Sequence, residues 1–306
     1  MATTKVFIVG ADGFVGDILK HALQDKGYDV YGGVYVREPG EKEVKLDVTQ
    51  PQSFDAIPAG DFDAVINNAG VVDQTIPAKI MFAVNAEGTR NTLEWARSRN
   101  CKHFIQVSSI SVVGLKAMGQ NRSEARARRS RYLGVPYQRS KAKGEWYVEH
   151  SGLPRTIFRL PSVLGDGDTV ITPAIGAALE DGSYFSCGNK DPLLSIVNVR
   201  DFPDMVDKVL ERGPDNQIYN ASSHHLRWSR VVAQYAKELD TRVPQTKKPL
   251  LSMLTHMHDK LYLYLLTNSR FGAHFPSDRF FRTYDYRPAN TWEAGVREAV
   301  AGMKRR

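Results

Sequence analysis

The chain has 306 residues, 42% of them apolar and 25% charged, with a formal net charge of +7 and two cysteines. This composition excludes a disordered or collagenous chain, and the isolated Cys101 and Cys187 suggest neither a disulfide framework nor a zinc cluster, which fits a reducing, cytoplasmic setting. The modest positive excess suits acidic substrates or bound phosphates, and without a basic stripe interleaved with aromatics it does not mark a nucleic-acid binder.

The run 5–9 reads as a first strand, too short for a signal-peptide core, so no secretion is implied. Ile18, Leu19, Ala22 and Leu23 then recur at helical spacing until Gly27 offers a stop. Residues 29–36 read as a second strand. Residues 64–66 and 104–107 read as buried strands, separated by a long helix over 77–99 with proline near its first turn. A helix over 137–150 and a strand over 156–160 follow. Past Gly165 the elements shorten and Gly, Pro and Asp multiply, with 195–199 and the helix after Asp201 returning to the sheet. The segment 244–288 is irregular and aromatic-rich. Within it Leu250, Leu251, Met253, Leu254 and Met257, then Leu261, Tyr262, Tyr264 and Leu265, form the apolar stripe of one or two amphipathic helices, a pattern used more often for packing than for a ligand pocket. His256, His258, Asp259 and Lys260 interrupt it, so it is no transmembrane segment, although it can lie on a bilayer. The histidines share no helical face, and no metal is assigned.

Gly10-Ala11-Asp12-Gly13-Phe14-Val15-Gly16 stands between the first strand and the first helix. Glycines there let the backbone turn tightly and approach a pyrophosphate over the helix N-terminus. This loop and the alternation of strands with helices predict an α/β chain: a Rossmann-type doubly wound parallel sheet with a smaller, interleaved C-terminal substrate lobe. The expected dinucleotide-binding domain is 1–165 with 193–215 returning to it, and the substrate lobe is mainly 166–192 and 216–306. NAD-binding folds often place an acid at the exit of the second strand, but Asp29 opens that strand and Val34-Tyr35-Val36-Arg37 closes it. The Arg37 guanidinium can pair with the extra phosphate of NADP, so NADP(H) is modestly preferred and NAD(H) stays open; the plain alternative is a surface pair with Glu38. Asp47-Val48 either bond and flank an adenine or form an ordinary turn. Asn68-Ala69-Gly70, after Asn67 at the edge of a buried strand, leave room for the cofactor backbone.

Tyr137 and Lys141 lie four residues apart, one above the other on a helical face. A phenol titrates near ~10 alone, and an adjacent cation favours its ionised form, which makes Tyr137 a general acid or base for a carbonyl or alcohol. Ser109 ends a buried strand where the nicotinamide should arrive and can orient the substrate oxygen. Ser111 is a further substrate contact, with a plain turn residue as its alternative.

Together these motifs resemble the extended short-chain dehydrogenase/reductase family, which includes sugar-nucleotide epimerases, dihydroflavonol-type reductases and 3β-hydroxysteroid dehydrogenase-like enzymes. The likeness runs over almost the whole chain, through the glycine loop, Asp47-Val48, Val84-Asn85-Ala86-Glu87-Gly88-Thr89, the Ser109 strand end, Tyr137 with Lys141, Arg159 to Gly165, Val197 to Asp201, and the late Tyr286-Arg287-Pro288 with Trp292 to Val296. The resemblance implies that Lys141 bonds the nicotinamide ribose and lowers the tyrosine pKa. It also implies that the backbone of Pro161, Ser162 and Val163 lies near the nicotinamide amide. Asn85 would join a proton relay or else hold neighbouring backbone. Family habit adds a homodimer through the helices over 77–99 and 137–150. Val113 stands where a tyrosine is usual, and Ile110-Ser111 replaces the Asp-Glu pair of dehydratases, which disfavours elimination.

Arg122, Arg126 and Arg129 at helical spacing, with Arg128 and Arg131 beside them, can clamp an anionic substrate, although a solvated loop is the commoner use of such a run. The leading expectation is an oxidoreductase that exchanges hydride between NADP(H) or NAD(H) and an alcohol or ketone small-molecule substrate. The alternatives are a nucleotide-sugar epimerase with tightly bound NAD and a non-catalytic cofactor-sensing binder.

Overall fold

The computed structural model describes residues 3–73, 75–117, 119–124, 134–256 and 259–306. Arg126, Arg128, Arg129, Arg131, Met257 and His258 lie outside the described residues. The chain divides into two compact units, the first comprising Met1–Leu115, Glu124–Leu160 and Phe202–Ala221.

Seven parallel strands form the sheet of the first unit: β1 (Lys5–Val9), β2 (Asp29–Val34), β3 (Glu43–Lys45), β4 (Ala64–Asn67), β5 (His103–Ser109), β6 (Arg155–Leu160) and the strand Ile218–Asn220. Read across the sheet, Ile218–Asn220 lies outermost beside β6, followed by β5, β4, β1, β2 and β3. The chain starts in the middle, winds out to β3 and then crosses to β4, so β1 and β4 flank the switch point where such sheets open a crevice for ligands. The unbroken apolar runs of β1 and β4 follow from this position, because a parallel sheet is covered on both faces. On one face Phe7, Phe54, Phe62 and Trp95 interlock, with Phe7 5.3 Å from Phe62 and 5.0 Å from Trp95 between ring centroids.

The covering helices that matter for function are α1 (Phe14–Asp25), α2 (Ala78–Phe82), α3 (Thr89–Ser98) and α4 (Pro136–Glu149). The single helix expected over 77–99 is α2 and α3 joined by a π-helical turn, Ala83–Gly88. One extra residue per turn pushes its backbone towards α4. Gly144 accommodates it, since a Cβ there would stand 2.3 Å from the Asn85 carbonyl oxygen.

The second unit comprises Lys116–Ser123, Pro161–Asp201 and Ser222–Arg306. Its three-stranded sheet places Leu193–Asn198 between Ser162–Leu164 and His224–Arg227. Helices Ile171–Glu180, Trp228–Glu238, Lys260–Arg270 and Trp292–Arg305 contribute to a core around Trp228, Tyr235, Leu265 and Leu266. Here the structure corrects the sequence reading. The run 195–199, expected back in the main sheet, pairs within the second unit, while Ile218–Asn220 takes the outer place beside β6. Short apolar runs look alike in sequence, and only the available edge decides which sheet each joins.

Candidate functional site

β1 ends at Val9 and the backbone turns at Gly10, with φ +77°, before α1 opens at Phe14. A Cβ on Gly10 would stand 2.9 Å from the Ala69 backbone, and one on Gly16 would stand 2.0 Å from the Gly10 carbonyl oxygen, so both positions require glycine. Gly13, exposed and at the N-cap of α1, leaves the helix N-terminus open. Asn68 Nδ2 donates to the Gly10 carbonyl at 3.1 Å and ties this loop to the end of β4. A bare helix N-terminus above closely apposed backbone fits the pyrophosphate of a dinucleotide.

At the exit of β2, Asp12 Oδ2 accepts the backbone N–H groups of Tyr35, Val36 and Arg37 at 2.9, 2.6 and 3.3 Å. The Arg37 guanidinium donates to both carboxylate oxygens of Glu43, at 2.5 and 2.6 Å. Glu43 also receives Lys20 Nζ and the Gly40 amide. The bidentate bond from Arg37, helped by Lys20, outweighs burial and holds the Glu43 carboxyl down at about 2. Further along, Asp47 Oδ1 accepts the amide and hydroxyl of Thr49 at 2.9 and 2.7 Å, so this carboxylate holds its own turn. Val48 is buried and its carbonyl accepts from Asn91 Nδ2.

The second cluster forms where β5 ends. Ser109 Oγ accepts the Ser111 amide at 3.2 Å, and Ser111 Oγ is buried. Tyr137, in the first turn of α4, faces both hydroxyls. Burial pushes its phenol above the ordinary value, and Ser109 and Ser111 draw it part of the way back. Lys141, one turn on, is buried and donates from Nζ to the Val107 carbonyl at 2.9 Å. Burial pulls the Lys141 ammonium down to about 8, against the opposing field of Glu145. Asn85, in the π-helical turn, accepts the Val71 amide at 2.8 Å and donates to the Val71 carbonyl at 2.9 Å and to Ser140 Oγ at 3.0 Å. Gly70 lies between this amide and the lysine: a Cβ on it would meet Asn85 Oδ1 at 3.3 Å and Lys141 Nζ at 3.4 Å.

One turn further along α4, Glu145 forms a buried ion pair with Arg159 of β6 and accepts the Ser108 hydroxyl at 2.7 Å.

The model of the NAD dependent epimerase/dehydratase family matches residues 6–222. The chain belongs to this family. The expected kinship with extended short-chain dehydrogenases is thereby borne out. Over 255 residues, 80% of this chain and 75% of the relative, it is 24% identical to N-acetyl-alpha-D-glucosaminyl-diphospho-ditrans,octacis-undecaprenol 4-epimerase of Escherichia coli O157:H7. It is 30% identical over 203 residues to 3 beta-hydroxysteroid dehydrogenase type 7 of Homo sapiens, which covers 58% of this chain and 55% of the human protein. Among solved structures, the Bordetella bronchiseptica enzyme WbmH in complex with NAD+ aligns over 99% of both chains with a TM-score of 0.80 at 18% identity. UDP-glucose 4-epimerase from Thermotoga maritima, with UDP-glucose, aligns over 98% of both chains with a TM-score of 0.75 at 15% identity. At these identities the structural likeness establishes the Rossmann-type fold.

In this family member the structure gathers Gly10, Asp12, Gly13, Phe14, Val15, Gly16, Asn68, Ala69 and Gly70 at the carboxyl ends of β1 and β4, and Asn85, Ser109, Ser111, Tyr137 and Lys141 around the end of β5 and the start of α4. Pro161, Ser162 and Val163 open the second unit, and Arg122 also lies there, its amide donating to the His274 carbonyl at 2.8 Å. Two electrostatic expectations change. The Tyr137 phenol sits above its ordinary value rather than below it, because burial outweighs its neighbours, and Arg37 is held by Glu43 rather than by Glu38 alone. Glu43 and Glu145 escaped the sequence reading, and Arg159 was named only as the start of the 159–165 segment, without its ion pair. Glu145 had a usable signal, four residues beyond Lys141 on the same helix; Glu43 had none, since its approach to Arg37 depends on β3 pairing with β2.

Proposed function

We propose that this protein transfers hydride between a nicotinamide cofactor and a secondary alcohol or ketone. The convergence of Ser109, Ser111, Tyr137 and Lys141 at the carboxyl edge of β5 carries the reading. The cofactor, when bound, supplies or accepts the hydride. Ser109 orients the substrate oxygen, with the Ser111 hydroxyl as a second contact. Tyr137 is protonated at neutral pH and delivers its proton to a carbonyl oxygen during reduction, or takes one from an alcohol in the reverse direction. Lys141, charged below about pH 8, holds the ribose and stabilises the tyrosinate that forms. Asn85 fixes the Val71 backbone beside Gly70 and thereby shapes the floor of this cluster.

The preference for NADP(H) required an available Arg37. Its engagement by Glu43, and the Asp12 carboxylate seated on the amides at the exit of β2, favour NAD(H) instead, because an added phosphate would meet a carboxylate where open N–H groups would have welcomed it. NAD also suits a second reading, an epimerase that keeps its cofactor and reduces its own keto intermediate. The likeness to the E. coli 4-epimerase over 75% of that protein supports this cycle.

The test is thermal stabilisation by NAD, NADH, NADP and NADPH, followed by nicotinamide absorbance with secondary alcohols and UDP-sugars. A ligand at 100 times its dissociation constant adds about 2.7 kcal/mol, so a true site gives a clear shift. Net cofactor reduction supports the dehydrogenase, and an epimerised sugar without net reduction supports the second reading. Absence of stabilisation by all four dinucleotides would overturn both.

A further inference from the structure

The second unit exposes an apolar turn. In the 3-10 helix Leu250–Thr255, Leu251 is 74% exposed and Leu254 61%, with Leu250 and Met253 at 37% each. Its one half-buried residue is Ser252, and Thr255 is exposed with the apolar side chains. Tyr262 donates to Ser252 Oγ at 2.6 Å, and the His256 ring stacks on Tyr262 at 3.9 Å. Tyr262 is itself buried against Phe185, with ring centroids 4.4 Å apart, so the turn is pinned with its leucines outward. Contiguous exposed apolar patches, unlike scattered apolar residues, commonly mark interaction surfaces.

The surroundings select the partner. The exposed strand Lys247–Lys248 leads into the turn through Pro249, and the stretch from Lys247 to His256 contains no acid. Leu250 also lines an open cleft of about 420 Å³ together with Cys187, Gly188, Asn189, Lys190 and Arg270. Among the described residues, Lys190, Lys248 and Arg270 have no carboxylate within ion-pair distance, and Lys247 donates to the neutral Asn189 side chain at 2.7 Å. Exposed leucines next to cations that have no carboxylate partner among the described residues complement the acyl boundary and the headgroup phosphates of a membrane surface. A second copy of the chain would have to bury these cations or bring acids to them.

We propose that the turn Leu250–Thr255, with Lys190, Lys247, Lys248 and Arg270 around it, docks this protein reversibly on an anionic phospholipid surface. The docking is interfacial: no described helix is long and apolar enough to cross a membrane. It is independent of the reading of the β5 cluster.

Co-sedimentation of the full chain with phosphatidylcholine vesicles, with and without phosphatidylglycerol, tests it. The wild-type chain should pellet with the anionic vesicles alone. Leu251→Asp with Leu254→Asp, and separately Lys247→Glu with Lys248→Glu, should each lower the partition coefficient roughly tenfold or more while leaving the melting temperature unchanged. Failure of the wild type to pellet, equal pelleting with neutral vesicles, or folded variants that partition like the wild type would overturn the proposal. A change of oligomeric state by light scattering in the leucine variant, without a change in lipid partition, would assign the turn to a second copy and overturn it equally.

Discussion

Two adjacent turns of α4 treat buried polar groups in opposite ways. At Glu145 the charge is matched by Arg159 and by the Ser108 hydroxyl, which joins the helix to β5 and β6. In the turn before it, from Tyr137 to Lys141, burial disfavours the charged forms of both residues. A matched buried charge stabilises a unique packing, whereas buried groups held away from their ordinary pKa values are a feature of functional sites. Under the proposed function the Tyr-Lys turn serves chemistry, whereas the following turn joins the helix to the sheet.

The largest effect should come from Tyr137→Phe. Turnover should fall roughly 10²- to 10⁴-fold, the usual contribution of a positioned general acid, with dinucleotide stabilisation retained. Steady-state kinetics beside a thermal-shift titration checks this, and wild-type turnover in the variant would erase the distinction between the two turns. Glu145→Gln should act on folding instead. It leaves the Arg159 charge buried and poorly matched, so denaturant unfolding should show a loss of about 3–5 kcal/mol.

Lys141→Met should have the opposite sign. The folded-state pKa of about 8 lies below the ordinary 10.5, so the fold pays for holding the cation below pH 8 and is relieved as pH rises between those values. Removing the amine should therefore raise stability near neutrality by up to about 3 kcal/mol while weakening cofactor binding and turnover. In the wild type, dinucleotide affinity measured by calorimetry should decline above pH 8, approaching about tenfold per pH unit if only the ammonium form binds. A flat affinity from pH 7 to about 10 would separate Lys141 from the ribose. The smallest effect belongs to Asp12→Ser, which should narrow the preference for NAD over NADP by roughly tenfold in the same titrations. An unchanged ratio would mean that the Asp12 carboxylate does not govern selection.

Much of the first unit was legible because its signals are local. Gly10, Gly13 and Gly16 stand between a buried strand and a helix, and Tyr137 and Lys141 repeat at the helical period, so chain spacing alone aligns them. The second unit was harder to read. Its central strand Leu193–Asn198 has the same apolar texture as a strand of the main sheet, and the apolar stripe after Pro249 divides into an outward-facing turn and the helix Lys260–Arg270, which sends Leu265 and Leu266 into the core.

By itself the sequence determined the glycine loop, five of the seven strands of the main sheet in chain order and the helical spacing of Tyr137 and Lys141, because each depends on contacts or periodicities within a few residues. The tertiary structure alone decided that Glu43 would hold Arg37, that Glu145 would meet Arg159, and that Leu251 and Leu254 would face outward. Such outcomes depend on which distant strand or helix arrives alongside, and that partner sets both the burial and the charge a side chain experiences.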